Sequence, residues 1–147
     1  VLGGYFGSRL MSNIREEKGY TYGINASIAS FPFQGYLAIG TETDNEYVEP
    51  CIREIKYEMR RLQEELIPEQ ELSMVKNYMI GEMCRNYEDP FSLSDAWIFV
   101  KTAGLENNFF QTLAEKIRRV KAEELRDLAF RYFQSENMIE VVASRKM

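Results

Sequence analysis

The apolar positions divide the chain into segments of two periods. Leu2, Phe6, Leu10 and Ile14 recur every four residues, with Tyr5 and Met11 widening the stripe and Arg9, Asn13, Glu16 and Glu17 turned elsewhere, so the spacing predicts an opening helix. Gly19 follows Arg15 and Lys18 as a helix-ending residue, at a position where a positive φ costs least and the preceding cations meet the negative end of the helix. From Tyr20 the period becomes two. Tyr20, Tyr22, Ile24, Ala26 and Ile28 alternate with smaller residues, and after a turn at 30–34, Phe33, Gly35, Leu37, Ile39 and Thr41 alternate again. The two runs predict an antiparallel hairpin.

Helical spacing then takes over. Asp44 and Asn45 can cap a long amphipathic helix from Glu46 to about Leu66, with Val48, Ile52, Ile55, Met59 and Leu62 on its apolar face. Pro68 breaks that helix and starts a second one to about Tyr87. Asp89-Pro90 opens a shorter helix that Gly104 ends. Phe109 to Val120 and Leu125 to Phe133 carry two more helical stripes, and Met138 to Ala143 reads as a final buried strand. The order predicts an α+β fold with helices packed on one face of an antiparallel-rich sheet, as one domain over 1–147. The chain opens on Val rather than Met and directly on an apolar stripe, so it is expected to be a piece of a longer protein whose first elements lie upstream.

Composition narrows the chemistry. The 147 residues are 45% hydrophobic and 28% charged, ordinary for a globular chain. A net charge of −5 and the lack of a basic tract interleaved with aromatics argue against nucleic acid as a partner. No apolar run approaches the roughly 20 residues that span a bilayer, which argues against membrane insertion. Cys51 and Cys84 each lie in a helical pattern and are expected to be buried free thiols rather than a disulfide framework. There is no histidine, which removes the commonest general base, the Ser-His and Cys-His nucleophile pairs and the usual transition-metal ligand.

What remains as candidate chemistry is Arg15 at a helix end and, seven residues on, Tyr22, with Tyr20 beside it. An Arg fork next to a Tyr hydroxyl suits a carbonyl oxygen or a carboxylate. On the chemistry alone the stronger reading of the same residues is structural, a helix-end cation paired with Glu and a core aromatic.

The run Leu2-Gly3-Gly4, Ser8-Arg9-Leu10 and Ile14-Arg15-Glu16-Glu17-Lys18-Gly19-Tyr20-Thr21-Tyr22 resembles the start of the C-terminal half of insulinase-like (pitrilysin-type) zinc peptidases, especially the bacterial and mitochondrial processing-peptidase branch. Pro68 to Leu72, Val120 to Leu125 and Met138 to Ala143 resemble a helix start, a V-T-A-E-D-V segment and the last strand of that half. The resemblance implies one of two α+β halves of a clamshell zinc endopeptidase. Zinc, held by an H-x-x-E-H motif, is expected in the N-terminal half or a partner chain, and none in this one. Arg15 and Tyr22 match the family positions that contact peptide substrate, while Tyr20 stands where the branch usually has Leu, which leaves open which Tyr acts. On this view the chain alone is inactive and its partners are the zinc-bearing half and a peptide. The alternatives are a noncatalytic binding or scaffold subunit of the same fold, or a self-associating α+β regulatory module. Nothing in the sequence marks a compartment, and a bacterial cytoplasm or periplasm is the expectation ahead of a mitochondrial matrix.

Overall fold

A computed structural model describes residues 1–31 and 33–144. In chain order its elements are a π-helix Met11–Glu17, strands β1 (Thr21–Ser30) and β2 (Gly35–Thr43), a short 3-10 turn Asn45–Tyr47, helices α1 (Val48–Glu64), α2 (Glu69–Asn86), α3 (Pro90–Thr102), α4 (Phe109–Arg119) and α5 (Ala122–Tyr132), and a 3-10 turn Ser135–Asn137. The class is α+β, with a two-stranded antiparallel sheet among the described residues. The chain forms two compact units, one of residues 1–66 with the segment from Leu125 onward, the other Ile67–Glu124.

In the first unit the opening stripe is not helical from Leu2. Residues 1–8 form an irregular segment that closes back on the helix, where the Val1 and Leu2 carbonyls accept the N–H groups of Arg9 (3.1 Å) and Leu10 (2.9 Å). These are first-turn donors that a helix cannot satisfy internally. The reason lies in Gly3. Its carbonyl accepts the Ala26 N–H at 2.8 Å, and a Cβ on Gly3 would lie 2.7 Å from the Ala26 Cβ and 2.8 Å from its nitrogen. Only glycine lets the segment lie this close along β1. Leu2, Leu10, Met11, Ile14, Ile24, Cys51, Ile55 and Leu62 are buried in this unit.

The hairpin pairs Ser30 with Gly35 at the turn and Thr21 with Thr43 at the open end. Between Thr21↔Thr43 and Ile24↔Thr41 one strand holds one residue more than the other, a β-bulge at Tyr22 and Gly23. The predicted common face of Tyr20, Tyr22 and Ile24 is broken by it: Thr21 and Ile24 are buried and Tyr22 is fully exposed. Thr21 fills the gap in the ladder. Its hydroxyl donates to the Glu42 carbonyl (2.6 Å) and accepts from the Gly23 N–H (3.1 Å) and the Thr41 hydroxyl (2.8 Å).

In the second unit, Asp89 caps α3 through the N–H groups of Phe91 (2.9 Å) and Ser92 (3.0 Å), and the Ser92 hydroxyl holds its carboxyl below the usual carboxylate range. Gly104 ends the helix at φ +67. Phe109 packs edge-on against Phe110 at 5.2 Å, and Phe110 tilts against Tyr87 at 4.7 Å.

Three further expectations change. Met138 to Ala143 forms no strand: Ile139 and Val141 are each 88% exposed, and among the described residues no neighbouring strand pairs with their backbone groups. The Asp44-Asn45 cap makes no side-chain hydrogen bond, since the 3-10 turn intervenes before α1. Cys51 is a buried free thiol whose pKa burial pushes up, but Cys84 is exposed, lying off the buried stripe that Leu72 and Val75 mark on α2.

The close approach at Gly3 makes a paired comparison. Gly3→Ala is expected to destabilise the protein by about 1–3 kcal/mol through a forced backbone shift, whereas Gly4→Ala, with nothing within 4 Å of the new Cβ, should be close to neutral. Urea denaturation midpoints of the two variants would check this, and equal midpoints would contradict the packing account.

Candidate functional site

The site is assembled where the π-helix delivers Arg15 to the bulge in β1. The helix is wound wider than the sequence period predicts. The Lys18 N–H reaches back five residues to the Asn13 carbonyl at 3.1 Å, the Tyr20 N–H bonds the Ile14 carbonyl at 3.0 Å, and Gly19 turns the chain at φ +65. A buried polar cluster holds this register. The Asn13 amide donates to Glu58 Oε1 at 2.7 Å and to Glu54 Oε2 at 3.1 Å on α1, and Lys18 pairs with Glu54 at 3.4 Å. Glu58 is 2% exposed and is also met by Arg61 Nη1 at 3.2 Å. The apolar face read from the sequence, with Val48, Ile52, Ile55, Met59 and Leu62, does not include Glu58. Its burial follows from the stripe Cys51, Ile55, Glu58 and Leu62, which keeps helical steps of four, three and four.

Arg15 is fixed at two places. Its Nε donates to the Tyr22 carbonyl at 2.9 Å, and its guanidinium lies over the Phe6 ring, 4.8 Å from the centroid. Among the described residues its two terminal nitrogens make no hydrogen bond. The structure therefore brings Arg15 and Tyr22 together, though through the Tyr22 main chain. The Tyr22 side chain points into solvent, not into a core. Tyr20 is turned the other way, stacking on Tyr47 with ring centroids 4.9 Å apart and an interplanar angle of 14°. Arg15 and Tyr22 thus offer donors to an incoming group, and Tyr20 is taken up in packing. Phe6 is the member of this constellation that sequence reading missed, since its place in the four-residue stripe made it a core position.

The described residues hold no group of three His, Cys, Asp or Glu that suits a metal ion. Glu54 and Glu58, the acids of the polar cluster, are already occupied by the Asn13 amide and by Lys18 and Arg61. This donor set does not fit zinc.

Solved structures share the fold. The peptidase M16 inactive domain from Pseudomonas fluorescens superposes with a TM-score of 0.76 at 21% identity over 90% of this chain and 32% of that one. A protease from Helicobacter pylori gives 0.79 at 18% identity, over 90% of this chain and 32% of that one. The model of the peptidase M16 inactive domain matches residues 1–79, and the chain belongs to that family. It is also 29% identical over 151 residues to the non-peptidase homologue YmxG of Helicobacter pylori, with 99% of this chain and 34% of that protein covered. The chain thus spans about a third of the length of that curated relative.

Truncating Glu58 should leave the Asn13 amide and Arg61 without their buried acceptor. Glu58→Ala is expected to cost about 2–3 kcal/mol, and Glu58→Gln, which keeps an acceptor oxygen, less. Chemical denaturation of both variants gives the test, and equal losses would show that the acceptor is not what matters.

Proposed function

We propose that this chain is most of the zinc-free C-terminal domain of a zinc-dependent endopeptidase, closing over a zinc-bearing half in the same chain or a partner subunit and orienting a peptide substrate through Arg15 and Tyr22. The observation that carries this is the held guanidinium: Nε tied to the Tyr22 carbonyl, one face on Phe6, and the terminal nitrogens left to bind. An Arg held in this way loses little side-chain freedom when it takes a carbonyl or carboxylate, so its binding is preorganised. The Tyr22 hydroxyl, carried outward by the bulge, supplies a neutral donor to the scissile carbonyl or to the oxyanion that develops there. Zinc chemistry in the other half would supply the activated water. This chain contributes binding and orientation.

A second reading is favoured by one observation. The relative that aligns with nearly the whole chain is a non-peptidase homologue. In that case the same clamp holds peptides for a noncatalytic binding or scaffold subunit, and no turnover follows.

In the full-length protein with its zinc-bearing half, Arg15→Ala is expected to lower kcat/KM for peptide cleavage by about 10²-fold, and Tyr22→Phe by about tenfold or more, as loss of an oriented donor does. Zinc content, measured by metal analysis, should be unchanged. Tyr20→Leu should alter cleavage by less than about twofold, a change of under ~0.5 kcal/mol. Unchanged kinetics in both the Arg15 and Tyr22 variants would remove the clamp. Peptide binding that depends on Arg15 without any cleavage in the unmodified protein would establish the second reading.

A further inference from the structure

Phe6 lies outside the pair of residues that the motif selects, on the glycine-rich run between Gly3 and Gly7. Its neighbour Tyr5 is partly buried, with its ring edge only 3.0 Å from where a Gly7 Cβ would stand, whereas Phe6 is turned outward. Phe6 remains 62% exposed although the Arg15 guanidinium covers part of its ring.

The geometry divides Arg15 between two uses that do not compete. A cation–π contact engages the face of the guanidinium, whereas recognition of a carbonyl or carboxylate uses the N–H groups at its edge. An acid at position 6 would occupy those edge donors. An aromatic ring supports the plane and leaves them open, and its remaining surface is apolar beside a polar clamp. A few convergent polar groups next to an apolar wall are what a peptide subsite requires.

We propose that Phe6 is a specificity-determining residue of this clamp: its ring positions Arg15 and forms an apolar shelf that selects a Leu- or Phe-sized substrate side chain next to the backbone group Arg15 holds. This rests on the peptide-clamp reading above, but it does not depend on whether cleavage occurs, so binding is the measurement.

The experiment uses the full-length protein and short fluorescent peptides in which Ala, Leu or Phe occupies each position in turn, with dissociation constants read by anisotropy. In the unmodified protein one position should favour Leu and Phe over Ala. Phe6→Ala is expected to weaken the Leu and Phe peptides about five- to tenfold and the Ala peptide by less than about twofold, which flattens that preference. Phe6→Tyr should restore it, and Arg15→Ala should weaken all three peptides alike. A preference that survives Phe6→Ala, with Arg15→Ala still weakening every peptide, overturns the role of Phe6 and leaves the clamp standing. Binding unaffected by Arg15→Ala as well overturns both. Circular dichroism matching the unmodified protein confirms that each variant is folded.

Discussion

The first unit depends on a buried carboxylate. Glu58 is almost wholly removed from water, a costly place for a charge unless its oxygens are met by donors. Asn13 and Arg61 supply those donors, and Glu54, one turn earlier on α1, takes the Asn13 amide and Lys18. Asn13 and Lys18 are five residues apart. Five residues overshoot the 3.6-residue turn of an α-helix, but they match the wider turn that the Lys18 to Asn13 backbone bond closes. Two acids on one face of α1 thus favour the π register over the α register. That register sets where Arg15 leaves the helix, two residues beyond Asn13.

The bulge in β1 is the second constraint. A regular ladder from Thr21 to Ile24 would send Tyr22 and Ile24 to the same face, and with Ile24 in the core Tyr22 would follow it inward. The extra residue changes the phase, and Thr21 instead of Tyr22 turns inward, its hydroxyl meeting the irregular backbone. The Tyr22 carbonyl receives the Arg15 Nε. A bulge that re-aims one side chain while presenting its carbonyl to a neighbour is a positional device of the kind found near functional sites. The π turn and the bulge meet at Arg15 and Tyr22, so two departures from regular structure make one feature.

These two departures also mark the limit of what the sequence discloses. Periodicity located the hairpin, all five α-helices, the helix end at Gly19 and the cap at Asp89, because each follows from local propensity and spacing. It identified Arg15 and Tyr22 as a pair only through their resemblance to a family motif. It missed the non-helical start, since the approach of Gly3 to Ala26 is a contact across more than twenty residues that no local period contains. It misassigned Tyr22 and Ile24 to one face because an insertion of one residue in a ladder is invisible until the partner strand is known. Phe6 fitted a helical stripe in a segment that forms no helix. The apolar run of Met138 to Ala143 suits a buried strand, but a strand needs a partner and an apolar run cannot provide one.

The chemistry of the candidate site follows from the kind of groups it contains. Arg15 and Tyr22 present donors, and the Tyr22 carbonyl is already bonded to Arg15. Donors attract electron-rich oxygens and strengthen their hold as negative charge accumulates, so such a site favours a tetrahedral oxyanion over the carbonyl from which it forms. The chain lacks histidine, and the carboxylates of Glu54 and Glu58 are committed to the cluster that holds the helix. On the function proposed above, a clamp of this composition would bind and orient, and the activated water would be delivered from a second surface. Closure of two halves on one peptide would then bring these complementary groups together, with the presentation of Arg15 and Tyr22 set by the π turn and the bulge before substrate arrives.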